Sequence, residues 1–327
     1  MATTPSLHIT GVGKYLPFFR RLWSERLQYL AFVKRQVLER TQDKELMGSA
    51  RKDVFSFLLN AKDPEMGHGL SKGKLWMEGN TLIVAGSDTA STTMAASIFH
   101  LTRNPLVFSC LTNEIRSTFS HPEDRLGPRL QSCTYLRACI DETLRLSPPI
   151  SGLLPRRVLP GGLKTPALGV LLPEGIDVGT CIFALQHHPG YVVNPDIFDP
   201  SRFLQPWVKN AAAETPLSPD HDGAQTGTPR FLKQNREALP SVFNPFSLGP
   251  RSCAGKPLAY LELSLTIARL VWEYEIKFVA EGVTEGGSVE SDLKAGRRRV
   301  GEYHIFDWFV RRNEGPWVVL RLREGGP

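Results

Sequence analysis

The chain reads as mainly α with a small β region, and three observations carry that reading. Long stretches repeat apolar residues three and four apart, and the β-leaning runs are short and confined to two places. The 327 residues are 41% hydrophobic, enough to bury a core, and a single domain over residues 1–327 is the expected organisation.

The first expected element is a helix over residues 20–41, RRLWSERLQYLAFVKRQVLERT, with Leu22, Leu27, Leu30, Val33 and Val37 near one face. It reads as a packed amphipathic helix, with a membrane-surface helix as the second reading. From about 71 to 104 the pattern stays helical without a proline, roughly 50 Å at 1.5 Å per residue, until Pro105 stops it. Shorter helices follow at about 105–119 and 134–146, the second closed by Pro148 and Pro149. The texture then changes: GVLLPEGIDVGTCIFAL, residues 169–185, has β-leaning runs broken by proline and glycine and predicts a small sheet. Residues 209–240 are polar, small and proline-containing, which predicts a surface loop or disordered insertion. A second apolar helix is expected over about 257–274, with Leu258, Leu261, Leu265, Ala268 and Trp272 on one side and Leu263, Ile267 and Leu270 on the other. Such a helix should be buried nearly all round. The final run HIFDWFVRRNEGPWVVLRLR, residues 304–323, predicts a hairpin turning at RNEGP.

Composition narrows the function. Five cysteines (Cys110, Cys133, Cys139, Cys181, Cys253) make an odd count without a CxxC pair, which argues against a disulfide framework and structural zinc and for a reducing setting. The net charge of +6 comes without basic runs interleaved with aromatics, so no nucleic-acid groove is expected. A solvated basic face, an acidic protein partner or an anionic membrane surface accounts for it. Neither a signal peptide nor a membrane span is expected, because the opening residues lack an apolar core and the most apolar window, 81–99, carries Asp88 and many hydroxyls.

The chemistry concentrates in FSLGPRSCAGKPLAYLEL, residues 246–263. Cys253 precedes a helix start, where backbone N–H groups and the helix dipole favour a thiolate, and so suits a ligand or a nucleophile. Gly249 and Gly255 allow the backbone to turn and approach something flat and bulky; Phe246 and Pro250 supply apolar cover, and Arg251 can reach an anion beside the ligand. His187, His188, His221 and His304 offer no spacing that marks a base for a nucleophile, so iron ligation is preferred.

This stretch resembles the haem-binding loop FxxGxRxCxG of the cytochromes P450, and the residues after it resemble the following helix of fungal microsomal members. The resemblance implies a cytochrome P450-like fold lacking its N-terminal portion, with the chain carrying the C-terminal two-thirds. It also implies that Cys253 is the axial thiolate of haem b iron. Glu142 and Arg145 in DETLRL lie three apart, a spacing common on solvated helices; in the family such a pair is buried and joined by a later arginine, here Arg202 of FDPSRF. That trio would be structural. AGSDTAST, residues 85–92, resembles the family's oxygen-activation segment AGxDT. Gly86 would leave room for a diatomic ligand, Thr89 can bond a carbonyl one turn back, and Asp88 and Thr89 are implied to relay protons. LLPRRV resembles the strand that offers an arginine to a haem propionate, with Arg156 the better match and Arg157 its rival, and His187 or His188 a further approach to the porphyrin edge.

The implied activity is a haem-thiolate monooxygenase that inserts one oxygen atom from O₂ into a lipophilic small molecule of secondary metabolism. No GxGxxG with a suitable acidic residue is present, so electrons would come from NADPH through an NADPH-cytochrome P450 reductase, docking near Lys233, Arg236 and Lys256. The other readings are a reductase-independent peroxygenase or isomerase and a non-catalytic fragment without stable haem. Family relatives are anchored to the endoplasmic reticulum, and this form is expected to be cytoplasmic or in peripheral membrane contact.

Overall fold

The computed structural model describes residues 17–42, 53–62, 67–121, 127–165, 169–204, 239–279, 301–303, 305–306, 312–313 and 315–323. The chain divides into two compact units, Met1–Gly86 and Ser87–Pro327. Among the described residues no helix is long and apolar enough to cross a membrane.

The first unit contains α1 (Pro17–Gln42), α2 (Val54–Asn60) and the start of α3 (Lys72–Arg103). Asp53 caps α2 by accepting the Ser56 N–H at 2.8 Å, which satisfies one of the orphan donors at the helix start. Val33, Val37 and Leu75 form the buried cluster, with Phe55, Leu58 and Trp76 packed against it. The expected stripe on α1 is therefore narrower than the sequence suggests: Val33 and Val37 are buried, but Leu27 is 51% exposed. Leu22 has its side chain outside the described residues.

The second unit continues α3 and adds α4 (Pro105–Thr118), α5 (Pro128–Ser132), α6 (Thr134–Leu146), α7 (Ile182–Gln186) and α8 (Lys256–Glu273). Pro105 has no N–H to offer α3 and is preorganised for the first turn of α4, so one residue ends a helix and starts the next. Leu111, Ile115, Leu136, Ile140, Leu263 and Ile267, from α4, α6 and α8, form the centre of the largest core cluster. Two residues of α4 also secure the ends of its neighbours. The Glu114 carboxylate accepts the N–H groups of Tyr135 and Leu136 at 2.8 Å each, capping α6, whose own N-cap residue supplies no side-chain bond. Burial pushes the Glu114 carboxyl above its ordinary value, an effect these backbone donors oppose. Arg116 donates to the carbonyls of Val271 and Tyr274 at 3.1 to 3.2 Å, where α8 ends, so its cation meets the negative end of that helix.

The expected small sheet is two separate antiparallel ladders. β1 (Arg156–Arg157) pairs with β4 (Asp177–Val178), and β2 (Leu163–Thr165) pairs with β3 (Val170–Leu172). Its expected end, around 182–185, is helical instead: Ile182 and Gln186, four apart, are the buried pair of α7, and Gln186 Nε2 donates to the carbonyls of Leu144 and Arg145. The apolar run of α8 also differs from expectation. Tyr260, Leu263, Ile267 and Val271 face inward while Leu258 and Leu261 are 48% and 44% exposed, because leucines on both sides of a helix hide which face packs.

The terminal hairpin is rewired. β6 (Ile305–Phe306) pairs with β7 (Arg312–Asn313), so part of the expected turn is itself strand, and β8 (Val318–Leu322) pairs with β5 (Tyr274–Phe278). β5 offers five register pairs and the inward Ile276, a longer ladder than two residues could give. Of the expected loop at 209–240, residues 209–238 lie outside the described residues, and Leu239 and Pro240 begin a helical turn.

Candidate functional site

α6 sets the base of the site. Glu142 and Arg145 are 0% exposed and form a bidentate pair, with Arg145 Nε on Glu142 Oε2 at 2.7 Å and Arg145 Nη2 on Oε1 at 2.8 Å. The remaining guanidinium donors go to carbonyls of Gln186 (3.2 Å), Pro195 (2.7 Å) and Ile197 (3.2 Å). Glu142 Oε1 also accepts the Asp199 N–H at 2.9 Å and Arg202 Nε at 3.2 Å. The three residues singled out from DETLRL and FDPSRF thus meet in one buried network that ties α6 to the segment before the Pro200–Phe203 turn. Beside it, His100 is buried with Nε2 at 3.0 Å from Ser147 Oγ and its ring stacked 5.0 Å from Phe198. Burial first, and the Arg145 charge second, push His100 down to about 3, so its ring is neutral.

The thiol loop is built differently. Ser247 and Gly249 have φ of 61° and 71°, and Gly249 is where the left-handed backbone asks for a residue without a side chain. Gly249–Arg251 forms a single 3₁₀ turn, and the Cys253 N–H returns to the Phe246 carbonyl at 2.9 Å. Gly255, the N-cap of α8, has an ordinary φ of −80°, so its backbone needs no glycine; a Cβ there would sit 3.7 Å from Cys253 Sγ. Cys253 is exposed and carries a free thiol.

One cleft joins these parts. It encloses about 910 Å³, part of it open to solvent, and is lined by Thr89, Ala90 and Thr93 of α3, Leu144 of α6, Ile150, Leu154, Arg156, Ile182, Phe246, Arg251, Cys253 and Leu263, among others. Cys253, Arg251, Phe246, Arg156 and Thr89, chosen from three separate stretches of sequence, share these walls. Thr93 donates its hydroxyl to the Thr89 carbonyl at 2.9 Å and Ser97 to the Thr93 carbonyl at 2.8 Å, so the wall of α3 carries side-chain bonds to its own backbone.

Other candidates fall elsewhere. Asp88 is exposed, receives Ser87 Oγ at 3.5 Å and does not line the cleft. A Cβ at Gly86 would meet no atom of the described residues within 4 Å. Arg157 is committed to Asp177, its cross-strand partner, by bonds of 3.1 and 3.2 Å, which separates it from Arg156. His187 stacks on Phe183 at 3.8 Å and His188 accepts the Gly190 N–H; neither lines the cleft. Lys256 is exposed with its ammonium 5.7 Å from the Phe246 ring, while Lys233 and Arg236 lie outside the described residues.

Sequence reasoning missed Thr93 and the apolar walls Ile150, Leu154 and Ile182. Thr93 stands one turn after Thr89 and was open to inference from that spacing; nothing in spacing marks the others. Among the described residues no three His, Cys, Asp or Glu side chains gather as a site for a bare metal ion. The donor set is instead one sulfur, apolar walls and two arginines. It fits a flat apolar macrocycle that brings its own metal ligands and carries anionic groups at one edge.

The comparisons agree with that fit. The sequence profile described as Cytochrome P450 matches residues 3–286. The chain is 41% identical over 278 residues to cytochrome P450 monooxygenase apf7 of Gibberella fujikuroi, covering 84% of this chain and 47% of that protein. It is 36% identical over 324 residues to apf8 of the same fungus, covering 99% and 79%. A crystal structure of a cytochrome P450 (CYP102L1) superposes with a TM-score of 0.68 at 19% identity, over 93% of this chain and 57% of that one, a likeness of fold. The chain belongs to the cytochrome P450 family. It spans about half the length of several curated relatives it matches, 47% of apf7 and 55% of AKT7 of Alternaria alternata.

Proposed function

We propose that this chain carries the haem-thiolate site of a monooxygenase acting on a lipophilic small molecule of fungal secondary metabolism. The observation that supports the reading most is the meeting of Cys253, Arg251 and Arg156 on the walls of one apolar cleft that α3 also lines. When bound, haem b would supply the activation of O₂ with electrons delivered one at a time. Cys253 Sγ would bind the haem iron, from a backbone held at the cleft wall by the bond from its own N–H to the Phe246 carbonyl. Arg251 and Arg156 would hold the propionates, through charge-assisted contacts worth roughly 1.5 to 3 kcal/mol each when well formed. Phe246, Leu154 and Ile182 of the cleft wall would cover the macrocycle and exclude water. Thr89 on the cleft wall and Asp88, exposed one residue earlier, are the residues assigned to passing protons from solvent inward. Glu142, Arg145 and Arg202 brace α6 behind the cleft.

Electrons come from NADPH through a separate reductase, with Lys256 part of the docking face beside the thiol loop. The test is the absorption spectrum of the reduced, carbon-monoxide-treated chain after expression with haem supplied, alongside Cys253→Ser. A strongly red-shifted Soret band that disappears in the variant supports the reading. A chain that takes up no haem under these conditions overturns it. For a chain that does load haem, turnover with peroxide but none with NADPH and reductase would replace the monooxygenase by a peroxygenase.

A further inference from the structure

We propose that Tyr260 is a positioning residue for the thiol loop, anchored by a hydrogen bond from its hydroxyl to the carboxylate of Asp141. Tyr260 lies on the second turn of α8, buried, and its hydroxyl donates to Asp141 Oδ1 at 2.6 Å. Asp141 sits beside Glu142 on α6 and is itself buried; its other oxygen, Oδ2, accepts Arg137 Nε at 3.0 Å. The Arg137 guanidinium in turn lies over the Tyr260 ring, 3.4 Å from its centre. The same ring also packs against Phe246, with centroids 5.1 Å apart and planes at 48°. Phe246 is the residue whose carbonyl receives the Cys253 N–H. A chain of direct contacts therefore runs from α6 through Tyr260 and Phe246 to the backbone of the thiol.

The hydroxyl matters because the carboxylate is buried. Oδ2 has Arg137, and Oδ1 has Tyr260; removing the phenol oxygen leaves a buried acceptor without its donor, which costs more than the bond itself contributed. The carboxyl then gains by shifting toward solvent or Arg137, and the ring it held loses its fixed seat. Burial and the neighbouring Asp141 push the phenol above its ordinary value, so it remains a donor at neutral pH. Lys256, whose ammonium lies 5.7 Å from the Phe246 ring, is the other cation at this junction; it is exposed and holds the ring loosely.

This deepens the haem reading, yet its test does not depend on haem. Backbone hydrogen exchange is followed by mass spectrometry on the chain, on Tyr260→Phe and on Asp141→Asn, comparing the peptide containing Cys253 with peptides from α4. In Tyr260→Phe the loop peptide should exchange about tenfold faster while the α4 peptides keep their rates. Asp141→Asn keeps an acceptor for the phenol, and its loop should stay within about threefold of the parent. Equal loop exchange in Tyr260→Phe and parent overturns the proposal, as does an equal acceleration of loop and α4, which would mark a general loss of stability. In haem-supplied protein, Tyr260→Phe should also raise the share of the carbon-monoxide complex that has lost thiolate ligation. A parent chain without haem would defeat the proposed function and leave the exchange result to decide the role of Tyr260.

Discussion

Arg145 and Cys253 belong to the same unit and meet opposite demands. The arginine is wholly buried, and each of its donors has an acceptor drawn from Glu142 or from three carbonyls of a later segment. The cysteine is exposed at the wall of an open cleft, and its backbone is shaped by a left-handed glycine, one 3₁₀ turn and a backbone bond, with Tyr260 packed against Phe246 behind it. A buried ion pair is held because leaving any member unpaired is expensive, whereas a reactive group must remain reachable. Rigidity therefore comes from behind the site, and chemistry from a loop that contributes little to folding.

The harshest way to break this contrast is Glu142→Ala. It strands Arg145 and Arg202 and removes the acceptor of the Asp199 N–H, so folding stability should fall by about 3 to 5 kcal/mol in urea unfolding. Equal stability of variant and parent would mean that the network is relaxed by water.

His100 tests the same core through pH. Its folded value is pushed down to about 3 from an ordinary value near 6.5, so below 6.5 the unfolded chain takes up a proton that the folded chain refuses. The contribution is whole above 6.5 and is lost as pH falls toward 3, by about 1.4 kcal/mol per pH unit. The charged and titratable groups acting on it are Arg145, His187 and Arg103. His100→Gln should lower that slope between pH 6 and 4 by about one proton's worth; parallel slopes would show that His100 protonates in place.

The contrast also explains what could be read from sequence. The thiol loop was legible because its chemistry is compressed into ten residues, Phe246 to Gly255, with their spacing fixed by one turn. Glu142 and Arg145 were legible as a pair only because helical spacing brings residues three apart together. Arg156 and Arg157 stayed rivals until the register set Arg157 opposite Asp177. The bond from Tyr260 to Asp141 spans 119 positions, and no local pattern encodes it. The terminal strands failed for a related reason: VVLRL could have paired with the run just before it, but YEIKF, after α8, offered the longer ladder. Leucines on both sides of α8 likewise could not reveal that Leu258 and Leu261 stay outside.

Gly249→Ala moves the test to the loop. At φ of 71° an alanine is strained although no atom of the described residues lies within 4 Å of its Cβ, so the cost is conformational, about 1 kcal/mol by thermal unfolding. An unchanged unfolding midpoint would show that the loop takes another backbone path. Because Phe246 and Tyr260 join the loop to Asp141, the neighbour of Glu142, this loss and that of Glu142→Ala should show an interaction energy in the double variant rather than add.

Cys253→Ser should have the smallest effect on folding and the largest on ligation. The residue is exposed, its thiol is free, and the loop bond it makes runs through the backbone, which serine keeps. Stability of the chain without haem should therefore stay within about 0.5 kcal/mol of the parent in urea. The red-shifted carbon-monoxide band, which needs a thiolate, should vanish altogether. A large loss of stability would place the thiol among the residues that hold the fold, and the division between the Arg145 core and the Cys253 loop would fail at its most exposed point.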